Sequence, residues 1–580
     1  MKKLINCPET LVKEMCNGMV SAHPDLEFDA KYKLVKKKKI NEDKVTLISG
    51  GGTGHEPAHA GYVGQGMLDV AVCGDIFASP SQIQVYKAIK TSQSKKGTLL
   101  IIKNYSGDNM NFKNARQLAL DDGLDVEFVI VNDDIAVMDS LYTVGRRGVA
   151  GTVFVHKIAG AAAEAGLSLA EVKRIAKKTI ENTKSLGFAL SSCTVPAKGS
   201  PTFVLADNEM EYGVGIHGEP GICRQEVKTI DELVFQMVPT LLKELHAEDS
   251  EVALMVNGFG STPRMELYAL NNATLKVLKE NKVRVTREFV GDYMTSLDMA
   301  GASLTLVKLD KELKKYLVAA ATTPALTLTG NEGDICYTAL EEETLQDGCF
   351  TVETPQAYGK IENEVLSLQN FMFLVDKMAA VIIENEIPFC ELDSHAGDGD
   401  FGMSIAKGFK QLKREWKTIV ANSTDISEFL DECSIVIMEY CGGASGPIWG
   451  SAFRSAGKYA QGKKVLASQD MAELLHQCVE AIQLTGKRSF GRGAVVGDKT
   501  LIDALAPCAD SWTANAQLKL SLVECFAKGA EAAREGAKAT ESIVAHMGRA
   551  GAVGARSIGY PDAGAYGLGV IFTEVANALK

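Results

Sequence analysis

Several familiar signals are missing from this chain, and each absence removes a class. Positive charge is not in excess: the formal net charge is −12 over 580 residues, which argues against a general nucleic-acid binder. The one basic run, Lys36 to Lys39, lies beside a β-rich stretch and reads as a solvated face. No apolar run approaches the roughly 18 residues of a membrane span. Met1-Lys-Lys-Leu-Ile-Asn has no signal-peptide core, so neither a membrane nor export is expected. The 13 cysteines are scattered and form no Cys-x-x-Cys pair. Free thiols in a reducing cytoplasm are therefore expected, without a disulfide framework or a zinc site. Gly-Lys-Ser/Thr, the signature of a P-loop, also occurs nowhere.

What is present is an ordinary globular composition, with 46% hydrophobic and 23% charged residues, long enough for roughly two to four domains. Residues 1–330 alternate β-rich runs with helical patterns. Val45–Ser49, Leu68–Val72, Thr98–Ile102, Val126–Val131 and Val252–Val256 read as buried strands, and Glu171–Lys184 and Ile230–Glu244 as helices. Such alternation predicts α/β layering with ligands at strand ends.

The first strand runs into Gly50-Gly-Gly-Thr-Gly-His-Glu-Pro57, whose glycines let a backbone wrap a small polar ligand. His55-Glu-Pro-Ala-His59 has the spacing of a zinc-protease helix, but Pro57 and the glycines before it argue against a continuous helix there. A later strand leads into Lys103-Asn-Tyr-Ser-Gly-Asp108, where Lys103 and Asp108 are placed to hold and deprotonate a hydroxyl. Gly213-Val-Gly-Ile-His-Gly-Glu-Pro-Gly221 sets His217 in a glycine-rich turn, a better candidate nucleophile or base than His23 or His246. Gly213–Gly218 and Gly397–Gly402 both spell G-x-G-x-x-G, but neither follows a clear strand that opens a βαβ unit.

Periodicity lapses over 331–364, which reads as an interdomain linker. From about 365 onward the chain is helical: Leu366–Glu386, Ser404–Val420, Ile426–Tyr440, Ser451–Gln461, Met471–Leu484, Leu518–Thr540 and Gly564–Leu579 carry helix-spaced apolar residues. Glycine-rich loops separate them. In Asp393-Ser-His-Ala-Gly-Asp-Gly-Asp-Phe-Gly402, Asp393, Asp398 and Asp400 are hard oxygen ligands around glycine turns. A helix follows from Met403, and its free N-terminal amides suit an anion. Carboxylates for Mg²⁺ beside amides for phosphate are the parts of a nucleotide site.

Together, Ile48–His59, Gly74-Asp-Ile-Phe-Ala-Ser-Pro80, Lys103–Asp108, Val153–Gly160 and Gly215–Pro220 resemble the substrate domain of dihydroxyacetone kinases. The second half resembles the nucleotide domain of the ATP-dependent, single-chain members. The fold implied is an α/β substrate domain of two α/β layers (1–330) followed by an all-α helical barrel (365–580). The resemblance implies transfer of the γ-phosphoryl of ATP to a terminal hydroxyl of dihydroxyacetone, with the ketone held on His217 as a hemiaminal. Gly52, Thr53, Gly54, His55, Lys103 and Asp108 would contact the substrate, Asp108 as base with His55 assisting. Asp393, Asp398 and Asp400 would hold two Mg²⁺. Nucleotide contacts would come from Phe401, Gly402, Met403, Ser404, Ala444, Ser445, Gly486, Thr500, Leu501, Arg549, Asp562, Ala563 and Gly564.

The sequence departs from the family pattern on the nucleotide side. Phe401 replaces a threonine or small residue, the loop 486–497 is longer and more basic, and the segment after Gly548-Arg-Ala lacks Ser-Tyr. Gly497-Asp-Lys-Thr-Leu-Ile-Asp503 stands for the family's Gly-Asp-Arg-Thr-Met-Leu-Asp. The expected partners are a short ketose and ATP, with a swapped homodimer to bring the two sites together. The competing expectations are a kinase of erythrulose or glyceraldehyde, a side activity cyclising FAD, and a ketose sensor without turnover.

Overall fold

The computed structural model describes residues 3–137, 145–330, 335, 337–340, 351–548, 551 and 553–579. It divides into two compact units, Met1–Glu342 and Glu343–Lys580.

The first unit is built on two six-stranded sheets. Sheet one contains β1 (Leu26–Asp29), β2 (Leu34–Lys37), β3 (Thr46–Thr53), β4 (Val70–Ile76), β5 (Thr98–Lys103) and β6 (Val126–Val131). Their order is β1-β2-β4-β3-β5-β6, and β4, β3, β5 and β6 run parallel. Sheet two contains β7 (Thr183–Ala189), β8 (Glu209–Tyr212), β9 (Cys223–Glu226), β10 (Glu251–Gly258), β11 (Arg284–Gly291) and β12 (Gly301–Lys308), ordered β11-β10-β12-β7-β8-β9. The helices are α1 (Leu11–Ala22), α2 (Gln82–Thr91), α3 (Ser106–Asp121), α4 (Thr152–Glu164), α5 (Leu169–Glu181), α6 (Ile230–Leu245), α7 (Arg264–Glu280) and α8 (Lys311–Val318).

The two-residue period of a strand sorts the side chains into layers. Ile48, Leu100 and Ile102 face α2 and α3, while Leu47, Leu99 and Ile101 face α4 and α5. In β10, Ala253 and Met255 join that same central core, and Val252, Leu254 and Val256 face α6 and α7. The two expected α/β layers thus share a helical layer. α4 lies in it, buried from Thr152 through Ala163, as a helix between two sheets must be.

All five expected strands are present, and both expected helices. The helix read over Glu171–Lys184 ends at Glu181, because Thr183 begins β7. Gly213 directly follows β8, but the chain continues into β9 and opens no helix after it. The basic run is only partly a solvated face: Lys37 and Lys44 both pair with the buried Asp69, at 2.8 and 2.7 Å.

In the second unit, α9 (Leu368–Glu384), a short α10 (Glu386–Asp393), α11 (Phe401–Asn422), α12 (Ile426–Tyr440), α13 (Ser445–Ala460), α14 (Ser468–Phe490), α15 (Ile502–Gln517), α16 (Leu522–Ala539) and α17 (Ala563–Ala578) follow one another. Neighbours from α11 to α17 pack in sequence, and α9 packs on both α11 and α17, which closes a ring of eight helices. A cavity of about 160 Å³ lined almost wholly by apolar side chains lies among the ring helices. α15 was not expected from the sequence, since Pro507 within it reads as a breaker. Residues 351–364, inside the stretch read as a linker, pack on the second unit. Val352, Tyr358 and Ile361 lie on its core, and the amides of Glu353 and Thr354 donate to Asp376. No helix among the described residues is long and apolar enough to cross a membrane.

Asp376 is wholly buried and also pairs with the buried Lys413. Removing one partner leaves the other charge uncompensated in the core. Asp376→Ala is expected to cost about 3–5 kcal/mol of the second unit's stability, read by urea unfolding of the full chain; a loss under about 1 kcal/mol would contradict this role.

Candidate active site

In the first unit the glycine run is the last part of β3, and it is glycine because neighbouring backbone comes too close for anything else. A Cβ on Gly52 would lie 2.6 Å from the amide nitrogen of Ala78, and one on Gly51 would lie 3.2 Å from Lys103 Nζ and 3.3 Å from Asp108 Oδ2. Gly54 has φ +99° and lies beneath the Phe77 ring. Thr53 turns its hydroxyl away, to the Gly74 carbonyl at 3.3 Å. The chain then turns at 54–59 without forming a helix. His55 and His59 therefore take different partners, and no zinc-protease pair forms.

His55 donates from Nδ1 to the Thr295 carbonyl at 2.8 Å, because a carbonyl can only accept. Its Nε2 lies 3.1 Å from His217 Nε2, 162 residues away. The His217 ring is boxed by Phe77 at 5.0 Å and Tyr105 at 4.7 Å, both edge to face, and Phe77 stacks on His55. Glu219 accepts the His217 amide at 2.8 Å and places Oε1 3.6 Å from its Nδ1. Arg147 completes the support: it donates to Asp134 at 2.7 Å and to the Gly213 carbonyl at 2.9 Å. Of the residues expected here, His55, Lys103, Asp108 and His217 converge with Gly51, Gly52 and Gly54, while the Thr53 hydroxyl points elsewhere. Phe77, Tyr105, Arg147, Glu219 and Thr295 were not singled out from the sequence. Only the Gly-Glu-Pro following His217 carried a hint of Glu219.

Burial sets the charges. It holds His55 well below the ordinary imidazole range, reinforced by Lys103 and His217. Burial raises Asp108, against the pull of Lys103 and a hydrogen bond from Ser79. Asp108 Oδ1 is buried without a hydrogen-bond partner, the condition of a group left for a ligand. Burial lowers Lys103, opposed by Asp108 and Glu219. Glu219 would be raised by burial, but hydrogen bonding and charge from His217, with Arg147, bring it to about 2.

In the second unit a cleft of about 300 Å³ is lined by the starts of α11, α13, α15 and α17. Helix starts present free amides, a setting for anions. The carboxylates of Asp393, Asp398 and Asp400 reach within 4.8 Å of one another at its edge. Asp393 Oδ2 accepts the amides of Gly399 and Asp400 at 2.9 and 3.1 Å, which folds the loop around it. Burial raises the Asp393 carboxyl, and the charges of Asp398 and Asp400 add to the rise, a strain that a divalent cation relieves. Phe401, Ser404, Ala444, Ser445, Gly486, Thr500, Leu501, Asp562, Ala563 and Gly564 all line the cleft. Gly402 and Met403 do not: Gly402 admits the backbone of α10, where a Cβ would meet the Glu386 carbonyl at 1.9 Å, and Met403 is exposed. Arg549 lies outside the described residues.

The Dak1 domain matches residues 17–325 and the DAK2 domain residues 395–577. Across its full length the chain is 32% identical to the triokinase/FMN cyclase of Mus musculus, covering 99% of that protein. The chain belongs to the dihydroxyacetone kinase family. It is also 32% identical to the L-erythrulose kinase of Pectobacterium atrosepticum, over all of this chain and 97% of that one. The first half is closer to a shorter relative, 51% identical to the dihydroxyacetone-binding subunit DhaK of the PTS-dependent kinase of Lactococcus lactis, over 54% of this chain and 94% of that one. The dihydroxyacetone kinase from C. freundii, in complex with AMP-PNP and Mg²⁺, is 30% identical over 99% of each chain, with a TM-score of 0.60.

The departures from the family pattern are visible in the structure. Phe401 is partly buried on the second core, its ring 5.9 Å from that of Phe389. The loop expected to begin at Gly486 begins at Gly491: α14 continues to Phe490, and Gly491 ends it with φ +76°.

Three histidines of the first unit are buried in neutral form. Burial, with Lys103 nearby, depresses His55 and His59, and brings His156 to about 3. Below their ordinary pKa of about 6.5 the unfolded chain binds protons that the fold refuses. The stability they contribute is thus complete above about pH 6.5 and lost as pH falls, by up to about 1.4 kcal/mol per pH unit for each histidine. Urea unfolding of the first unit from about pH 7.5 to about pH 5 should show this decline; a flat profile would contradict it.

Proposed function

We propose that this chain transfers the γ-phosphoryl group of ATP to a terminal hydroxyl of a short ketose, dihydroxyacetone first, giving the ketose phosphate and ADP. The observation that carries the reading is the His55–His217 contact, boxed by two aromatic rings and set beside Lys103 and Asp108. A nitrogen nucleophile held there suits a ketone and has nothing to add to in glycerol, so the substrate class follows from the chemistry.

A hydrogen bond between two Nε2 atoms needs one proton. His55 commits its own to Thr295 through Nδ1, so the shared proton belongs to His217. Moving that proton to Nδ1, toward Glu219, exposes the Nε2 lone pair. Nε2 then bonds to the ketone carbon, the carbonyl π pair goes to oxygen, and the imidazole's one proton ends on that oxygen as the hemiaminal forms. His55 Nε2, a bare acceptor, steers this proton. Anchoring the substrate fixes a terminal hydroxyl for Asp108, whose free Oδ1 takes the hydroxyl proton while the oxygen forms its bond to the γ-phosphorus and ADP leaves.

For the nucleotide, the amides at the helix starts receive the phosphates, and Phe401 to Ser404 and Asp562 to Gly564 shape the cleft. Asp393, Asp398 and Asp400 fit a hard cation, and Mg²⁺ held there, as two ions in the family reading, would neutralise triphosphate charge. A homodimer and a cytoplasmic setting belong to the same reading. A second reading, turnover of L-erythrulose, is favoured by the full-length likeness to the erythrulose kinase. A sensor without turnover is disfavoured by the intact aspartate trio.

Coupled ADP release with Mg-ATP, comparing dihydroxyacetone, erythrulose, glyceraldehyde and glycerol, tests the reading. Ketoses should turn over and glycerol should not. His217→Ala should raise the ketose KM at least tenfold, and Asp108→Asn should lower kcat by roughly 10²–10⁴. Equal turnover of glycerol, or an unimpaired His217→Ala, would remove the covalent anchor from the mechanism.

A further inference from the structure

Lys499 has no part in the chemistry above, yet its surroundings are unusual. The residue is only 1% exposed, and its backbone is in the left-handed region at φ +61°, which non-glycine residues adopt rarely. Its ammonium meets four backbone carbonyls: Thr540 at 2.7 Å, Ile543 at 3.3 Å, Ser557 at 2.6 Å and Tyr560 at 2.8 Å. No carboxylate is hydrogen-bonded to it; the charge is solvated by carbonyl dipoles alone. Four carbonyl oxygens around one point are the surroundings that proteins give to a dehydrated monovalent cation. Three N–H donors rotating on a compact ammonium suit such a ring better than a planar guanidinium does.

The ring is made from one excursion of the chain, between the end of α16 and the start of α17, and both ends of that excursion reach the nucleotide cleft. Thr540 also accepts the Asp562 amide at 2.8 Å through its hydroxyl, and Asp562 caps α17. Tyr560 stacks flat on His395 of the aspartate loop, with ring centres 3.8 Å apart. On the other side, Asp503 pins the loop that carries Lys499, accepting the amides of Gly497 and Thr500 at 2.6 and 2.8 Å. One buried charge therefore joins the wall bearing Thr500 and Leu501 to the wall bearing Asp562 to Gly564.

We propose that Lys499 is a positioning residue for the nucleotide, a tethered monovalent cation whose carbonyl ring holds the two walls of the cleft at their working separation. The inference rests on the proposed nucleotide role of the second unit. Its specific consequence is that a small free cation can substitute for the side chain once the stem is removed.

The test uses the full chain with Lys499→Ala and Lys499→Arg. The affinity for AMP-PNP with MgCl₂ is measured by calorimetry and the KM values for ATP and dihydroxyacetone by ADP release. Both are taken in ammonium, methylammonium and tetramethylammonium chloride at equal ionic strength. Lys499→Ala should weaken AMP-PNP binding and raise the ATP KM at least tenfold, with the dihydroxyacetone KM unchanged within twofold. Ammonium or methylammonium should restore at least fivefold of the loss, tetramethylammonium should restore none, and Lys499→Arg should stay within threefold of the wild type. An unchanged AMP-PNP affinity in folded Lys499→Ala, or a loss that all three salts repair equally or not at all, overturns the inference and leaves the kinase reading intact. If Lys499→Ala does not fold, Lys499→Met keeps the stem's volume without the charge: wild-type affinity in that variant overturns the inference, and a tenfold loss supports it. If the wild type binds no AMP-PNP, the nucleotide reading itself fails and the inference with it.

Discussion

A fully buried guanidinium requires partners on every side, and Arg147 obtains them from both halves of the ketose site. Its Asp134 partner follows the last strand of sheet one. Its carbonyl partners, Gly213 and Pro220, bracket the turn that carries His217 beyond sheet two. The same guanidinium lies 3.8 Å from Glu219, the carboxylate that keeps His217 oriented. Lys103, Asp108 and the glycine run belong to sheet one and His217 to sheet two, so the pocket exists only where these two frameworks are tied together. Arg147 is that tie, and the buried aromatic box around His217 is packed against it.

What the sequence disclosed was mostly local. Val126–Val131 is a pure β-branched and aromatic run apart from Glu127, and it is a strand over those same residues. The aspartate loop and the glycine run could be read because turn chemistry needs glycine and hard ligands need carboxylates within a few positions of each other. The three strands of sheet two that went unread show the limit of that reading. β7 begins with Thr-Lys-Ser and contains Gly187, β11 carries two arginines and a glutamate on a half-exposed face, and β12 opens on Gly301-Ala-Ser. Their positions are set by pairing with β10 and with each other, a tertiary preference that outweighs weak propensity. The supporting shell of the site was hidden for a related reason. Phe77, Tyr105, Arg147 and Thr295 meet His55 or the His217 loop from distant stretches, and no spacing in one dimension records that.

The two units solve the problem of buried polarity differently. The first places ionisable groups in its interior at the ends of sheets, where neighbouring strands and loops can satisfy them: Lys103 by Asp108, Asp133 by the amides of Val149 and Gly151, Asp69 by two lysines. The second keeps its ring interior apolar and confines charge to the helix starts and the loops between them, with Asp376–Lys413 and Lys499 as its deeply buried exceptions. All three tryptophans, Trp416, Trp449 and Trp512, belong to that second core. A substrate that must be bonded covalently calls for the first arrangement, and an anion that must be cradled by amides calls for the second.

The closure of α17 against α9 brings the beginning and the end of the helical unit side by side. A module whose entry and exit are neighbours resembles a plug with both pins on one face: it can be attached to another chain, or left off, without cutting through its core. The relatives divide along that line. One of them matches only the first half of this chain, and matches it more closely than the full-length kinases do. The joint between the units is thus a place where gene fusion and fission cost little structure, and the two halves are free to change at different rates.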